Sequence, residues 1–131
     1  MRRGSYTQME LHRFFRALAD PSRLRILNLL FEQPYCVCEL EAILGLPQWL
    51  LSRHLAYLRN TGLAIDRRQG MRVQYSIAQD NGVLAALRPC LEEILRQQPI
   101  FHDDQMRAAA LRGSCCPAGT GTEIQTASAE K

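Results

Sequence analysis

Apolar side chains recur along the first hundred residues at the spacing of α-helices that each bury one face. The pattern predicts a first helix over residues 7–19 and a second that begins at Asp20-Pro21 and continues to about residue 31. Asp20 is a favoured N-cap residue, and proline suits the first helical position. The second helix is apolar nearly all round, so we expect it at the centre of the core.

Two shorter helices joined by a turn are expected next. The third spans Val37–Leu44 and ends at Gly45, and the fourth spans Gln48–Asn60. The inward stripe of the fourth helix follows the helical spacing i, i+4, i+7 and consists of Leu51, Leu55 and Leu58. Two helices joined by a short turn with glycine predict a helix-turn-helix.

An alternating pattern then replaces the helical one. Residues 63–68 and 71–77 alternate around Gln69-Gly70, which predicts a β-hairpin. A fifth helix is expected over residues 82–98, with Pro89 kinking or splitting it. The resulting fold is mainly α with one hairpin, a winged helix-turn-helix. We expect it to occupy residues 1–100, followed by a flexible tail over 101–131 that is rich in small polar residues from Gly113 onward.

Positive charge is concentrated between Arg53 and Arg72, where five arginines and one aspartate give a net charge of +4 against +3 for the whole chain. Such a cluster is typical of nucleic-acid binding, although an ordinary solvated face is the simpler alternative. The residues expected at double-stranded DNA are Gln48, Trp49, Ser52, Arg53 and His54 of the fourth helix and Arg67, Arg68 and Arg72 of the hairpin. For His54, local packing is the competing interpretation.

Length and cysteine usage limit the class of protein. The 131 residues suit one domain, and no apolar run is long enough to cross a membrane. The N-terminus lacks the apolar core of a signal peptide, and an odd count of five cysteines argues against a closed disulfide framework. We therefore expect a cytoplasmic protein with reduced thiols and no membrane partner.

Cys36 and Cys38 stand at the start of the third helix. Thiolates bind soft ions such as As(III), Sb(III), Cd(II), Pb(II) and Zn(II). Residues two apart on an ideal helix diverge by about 200°, so the pair can chelate only if one thiol lies off the helix. Cys36 near the N-cap would satisfy that condition, and the helix N-terminus favours thiolate. The alternative is two small buried apolar side chains.

The run from Phe15 to Leu27, the Cys-Val-Cys-Glu-Leu segment and the run from Ser52 to Leu63 closely resemble the ArsR/SmtB family of metalloregulatory repressors. The resemblance covers about residues 8–98. It implies a homodimeric winged helix-turn-helix repressor that pairs through its first and fifth helices and leaves operator DNA when an inducer binds. Cys-Val-Cys at this position resembles the arsenic-sensing branch, with As(III) or Sb(III) as inducer and no organic cofactor.

The chain departs from that branch at the expected third cysteine, which is Glu41 here. Pro47 and Trp49 also replace small polar residues at the start of the fourth helix. The fifth helix has no histidine, so we expect no zinc site of the family's other type there. The candidates for a third sulfur are Cys115 and Cys116, which could instead be an unpaired tail motif.

Several alternatives stay open from the residues alone. Cys90 could pack in an interface or join a tail-based site, and the segment 102–104 could bind a harder ion or be a solvated turn. Redox sensing, or sensing of Cd, Pb or Zn, by the same thiols on the same fold is the main competitor in function. A thiol enzyme is disfavoured because the chain has neither Cys-x-x-Cys nor a βαβ pattern. A metallochaperone would not need the basic hairpin.

Overall fold

A computed structural model describes residues 8–111, and side chains from residue 11 onward. The elements, in chain order, are α1 (Gln8–Leu18), α2 (Pro21–Glu32), β1 (Tyr35–Cys36), α3 (Val37–Leu44), α4 (Gln48–Asn60), β2 (Ala64–Gln69), β3 (Arg72–Ile77), α5 (Gly82–Arg96) and α6 (Pro99–Leu111). The four helices and the hairpin predicted up to residue 77 are confirmed, with boundaries that agree within about two residues.

The helix boundaries follow the capping chemistry of the sequence. The Asp20 carboxylate accepts the backbone N–H groups of Ser22 at 2.8 Å and Arg23 at 3.2 Å, which starts α2. Gly45 ends α3 in the left-handed backbone conformation, at φ 69°, which a residue with a Cβ atom would adopt only with strain. Asn81 caps α5 by accepting the N–H of Leu84 at 2.9 Å.

The core forms around α2, as the all-round apolar pattern predicted. Its fully or nearly fully buried residues include Ile26, Leu27, Leu29, Leu30, Leu40, Leu51, Leu55, Leu58 and Leu63. The inward stripe of α4 therefore packs as predicted. Among residues 8–111, no helix is both long and apolar enough to cross a membrane.

The hairpin belongs to a three-stranded antiparallel sheet with the order β1-β3-β2. We call the β2–β3 hairpin, residues 64–77, the wing. The short strand β1 was not predicted, and it pairs Tyr35 with Tyr75 and Cys36 with Gln74. The segment that carries the first thiol is therefore hydrogen-bonded to the wing.

The fifth helix runs through Pro89 to Arg96, so of the two alternatives, a kink or a split, the split does not occur. One expectation for the C-terminal part needs correction. Residues 101–111, expected in a flexible tail with a solvated turn at 102–104, instead lie in α6, which packs on α2 and α3. Phe101 and Asp104 of α6 are buried, and their burial supplies the stabilisation that the weak amphipathic pattern did not reveal. The rest of the predicted tail lies outside the described residues.

Candidate functional site

The two neighbouring thiols lie where β1 becomes α3. Cys36 is the N-cap residue, with an extended backbone at φ −80° and ψ 158°, and Cys38 lies in the first helical turn. The 200° divergence expected within a regular helix therefore does not apply to this pair. This placement is the one that chelation by Cys-x-Cys requires.

Cys36 is buried, with 1% of its surface exposed, and two polar neighbours define its surroundings. An Nη of Arg72 donates to its Sγ at 3.1 Å, and its backbone N–H donates to the Glu39 carboxylate at 2.7 Å. Burial raises the pKa of the Cys36 thiol, Arg72 opposes that rise and Glu39 adds to it. The free thiol is therefore mainly protonated at neutral pH, and a soft metal would have to displace that proton.

The remaining cysteines differ in state. Cys36 and Cys90 are free thiols, whereas Cys38 is disulfide-bonded, in contrast to the reduced thiols expected from the sequence. The candidate ligands Cys115 and Cys116 also lie outside the described residues. Between residues 11 and 111, no group of three or more His, Cys, Asp or Glu side chains is arranged to hold a metal ion. Cys36, and Cys38 once its disulfide is reduced, can supply two ligands of a metal site, and a third sulfur has to come from another cysteine.

An open cavity of about 320 Å³ brings the thiols together with the other predicted functional elements. Its lining includes Cys36 and Cys38, Gln48 and Ser52 at the start of α4, and Met71 and Arg72 at the tip of the wing. A group bound at the thiols would contact both surfaces that the sequence assigned to DNA.

The predicted contact residues of α4 do not all face the same way. Gln48, Trp49, Ser52 and Arg53 are exposed, and Trp49 leaves 63% of its surface open.

His54 is turned toward α2 instead. It lies 3.4 Å from the Arg23 guanidinium and 3.9 Å from the Asp20 carboxylate. Burial lowers the pKa of His54, while Asp20 acts in the opposite direction. The structure thus places His54 at the contact between α2 and α4.

The arginines of the wing occupy two different environments. Arg67 and Arg68 are exposed on β2, beside a turn in which Gly70 has φ 65°. Arg72 turns inward to Cys36 and is half-buried. The single aspartate of the basic segment, Asp66, pairs with Arg59 at 3.1 Å, so Arg67 and Arg68 keep their charge uncompensated by it.

Sequence reasoning missed the link between Arg72 and Cys36. A two-residue strand carries no periodicity, and the only local signal was Pro34, which disfavours helix at the residue before it. The register that places Cys36 opposite Gln74 arises from the sheet, and no pattern in the chain specifies it.

Comparison with known proteins places this arrangement in a family. Residues 20–66 match the model described as bacterial regulatory protein, arsR family. The chain is 40% identical over 85 residues to a transcriptional repressor SmtB homolog of Synechocystis sp., covering 65% of this chain and 64% of that protein. It is 48% identical over 65 residues to the arsenical resistance operon repressor of Escherichia coli, covering 49% of this chain and 56% of that protein. The chain thus spans less than two thirds of the length of these two relatives.

Solved structures support the fold. HlyU from Vibrio cholerae is 30% identical, with 73% of this chain and 96% of that chain covered and a TM-score of 0.58. Reduced HlyU from the same organism is 31% identical, with 63% of this chain and 88% of that chain covered and a TM-score of 0.55. The homodimeric winged helix-turn-helix DNA-binding domain of Mb0332 from Mycobacterium bovis is 26% identical, with coverages of 72% and 95% and a TM-score of 0.57. The predicted winged helix-turn-helix is thus confirmed.

A longer match decides the family. Rv0081, an HTH-type transcriptional regulator of Mycobacterium tuberculosis, is 38% identical over 94 residues, which is 70% of this chain and 82% of that protein. With the match over residues 20–66 and the shared fold, this similarity shows that the chain belongs to the arsR family of bacterial regulatory proteins.

Proposed function

We propose that the chain is a dimeric transcriptional repressor that binds double-stranded operator DNA and is released when As(III) or Sb(III) binds the thiolates of Cys36 and Cys38. The observation that carries the proposal is the cavity in which these thiols meet the start of α4 and the tip of the wing. An inducer bound there acts at the DNA-facing elements themselves. The operator partner implies a cytoplasmic protein, and no step of the proposal requires catalysis.

The exposed surfaces of α4 and the wing suit DNA. Ser52 and Arg53 project from α4, as expected for a recognition helix in the major groove, with Gln48 and Trp49 beside them. Arg67 and Arg68 are free to approach phosphates or the minor groove. His54 is proposed to support α4 from within.

Dimerisation follows from apolar surface that the monomer leaves uncovered. Leu11 and Phe15 of α1 and Ile94 of α5 are 41%, 51% and 57% exposed. Cys90 is also exposed on α5. Pairing of α1 and α5 with their symmetry mates would bury these side chains in an isologous interface. Mb0332 is homodimeric in its solved structure, which supports the same assembly here.

The inducer is proposed from ligand chemistry and from one relative. Thiolates are soft ligands that suit As(III) and Sb(III), and the Escherichia coli relative is an arsenical resistance operon repressor. We propose that Cys115 or Cys116 supplies the third sulfur in place of the cysteine that Glu41 replaces.

The decisive experiment measures operator affinity by fluorescence anisotropy with reduced protein, with and without antimonite. Wild type should lose affinity about 5–150-fold at saturating antimonite. Cys36→Ser and Cys38→Ser should bind operator normally and lose this response, and Cys90→Ser is the matched control that should keep it. Normal release of the Cys36→Ser variant would place the sensing site elsewhere. The double variant Cys115→Ser/Cys116→Ser tests the third ligand. It should bind antimonite more weakly than wild type if one of these cysteines supplies the third sulfur, and equally well if neither does.

Redox sensing is the second candidate, and a specific observation favours it. Cys38 is disulfide-bonded while Cys36 is a free thiol, so the two neighbours already differ in redox state. HlyU, a structural relative, has been solved in a reduced form. Hydrogen peroxide should release operator from metal-free wild type if this candidate is correct, whereas the metalloid proposal predicts no release. Cd(II), Pb(II) and Zn(II) in the same assay separate the remaining inducers.

A further inference from the structure

The wing is attached in two ways to Cys36, the N-cap residue of α3. β1 pairs with β3 so that Cys36 lies opposite Gln74, and the Arg72 guanidinium donates to the Cys36 sulfur at 3.1 Å. Arg72 directly follows the turn of the wing at Gly70 and Met71. The position of the wing tip is therefore coupled to whatever the Cys36 sulfur binds.

We propose that the contact between Arg72 and Cys36 holds the wing in its DNA-binding position, and that a metalloid on the Cys36 sulfur displaces Arg72. This inference rests on the proposed function and assigns Arg72 as a positioning residue, in contrast to the phosphate contact expected from the sequence. It gives the inducer a path to the DNA-binding surface that runs through the wing.

The chemistry of the displacement is balanced without an oxidant. The Cys36 thiol gives its proton to a hydroxide ligand of arsenous acid, water leaves, and an S–As bond forms. The bound arsenic is far larger than the proton it replaces and takes up the space beside the sulfur, where the guanidinium now lies at 3.1 Å. Arg72 cannot keep that position.

The existing contact is weak enough to be replaced. Sulfur is a poor hydrogen-bond acceptor, and the Nε of Arg72 is buried without a hydrogen bond among the described residues. A buried donor without a partner is costly, so Arg72 gains by moving toward water. The cavity beside Arg72 is open and is also lined by Ser52 and Met71, which are themselves exposed.

Two substitutions at Cys36 test the contact in metal-free protein. Cys36→Ser keeps an acceptor for Arg72 and should bind operator like wild type. Cys36→Ala removes the acceptor and should bind operator roughly two- to tenfold more weakly, as expected for the loss of one hydrogen bond. Cys90→Ala, at an exposed free thiol on α5, is the control that should change nothing. Equal operator affinity of the alanine and serine variants at Cys36 would overturn the proposal.

Arg72→Gln supplies an independent measurement if the alanine variant at Cys36 folds poorly. It should weaken operator binding without changing the salt slope, whereas Arg68→Gln should flatten the slope by about one unit because an exposed arginine releases a phosphate counterion. The double variant Cys36→Ala/Arg72→Gln should be no weaker than the poorer single variant. A slope reduced by about one for Arg72→Gln, or additive losses, would make Arg72 an ordinary phosphate contact.

The experiments distinguish a wrong inducer from a wrong role for Arg72. If antimonite does not release wild type, the proposed inducer is wrong, and the metal-free measurements still decide whether the contact positions the wing. If antimonite releases wild type and also releases Arg72→Gln by the same factor at saturation, the metalloid function stands and Arg72 does not transmit the signal.

Discussion

The two ends of α3 are held by arginines in contrasting ways. At the C-terminal end, Arg107 donates to the Ile43 carbonyl at 2.8 Å and to Asp104 at 2.7 Å. At the N-terminal end, Arg72 donates to the sulfur of Cys36, a weak acceptor, and its Nε makes no hydrogen bond among the described residues. The difference indicates that α3 is fixed at one end and adjustable at the other.

The fixed end is part of a buried charge cluster. Asp104 has no exposed surface, and besides Arg107 it accepts two hydrogen bonds of 2.8 Å from Arg25 of α2. Paired, fork-shaped contacts of this kind define geometry strictly. A change at Cys36 should therefore move the first turn of α3 relative to a fixed last turn, and such a pivot would carry α4 and the wing with it.

Removing the acid of the cluster should have the largest effect. Asp104→Ala leaves Arg25 and Arg107 without their buried partner and should lower the free energy of unfolding by about 3 kcal/mol. This value is at the lower end of the range for breaking a buried ion pair, because Arg25 keeps some access to water. Urea denaturation measures this. The matched control is Glu93→Ala, in an exposed pair with Arg96, which should stay within about 0.5 kcal/mol. A similar loss in both variants would mean that the cluster does not fix α6.

Loosening the fixed end alone should have a smaller effect on stability and a specific effect on induction. Arg107→Ala loses its bonds to α3 and Asp104 and should lower the free energy of unfolding by about 1 kcal/mol. Its operator affinity should respond less to antimonite than that of wild type, because the last turn of α3 can then move as well. Arg96→Ala, an exposed arginine of α5, controls for the lost charge. An unchanged response in the Arg107 variant would remove the pivot from the mechanism.

The smallest expected effect concerns the contact between α2 and α4. Burial lowers the pKa of His54 in the folded chain, so the unfolded chain binds the proton more readily. The contribution of His54 to stability is complete above its ordinary pKa of about 6.5 and is lost as the pH falls through the lowered folded value. Unfolding curves between pH 5 and 8 should show a steeper acid loss for wild type than for His54→Gln. Parallel curves would show that His54 does not titrate in this range.

The sequence by itself determined the elements that local rules govern. The Asp20-Pro21 start of α2, the Gly45 end of α3 and the leucine stripe of α4 were predicted because capping and helical periodicity act within a few residues. The same rules placed Cys36 at the N-cap of α3 and the basic residues on the wing. These local features were sufficient to predict a winged helix-turn-helix with thiols beside its DNA-facing elements.

Only the tertiary structure decided the contacts between segments distant in sequence. Strand β1 forms because β3 lies alongside it, and Arg72 meets Cys36 across that pairing. Helix α6 is stabilised by Arg25, which is 79 residues away from Asp104 along the chain. Such contacts have no periodic signature, since they depend on packing between elements, and the local sequence of one element does not specify its packing partner. The chain alone thus defined the candidate sensor and the candidate DNA surface, and the fold decided that one arginine connects them.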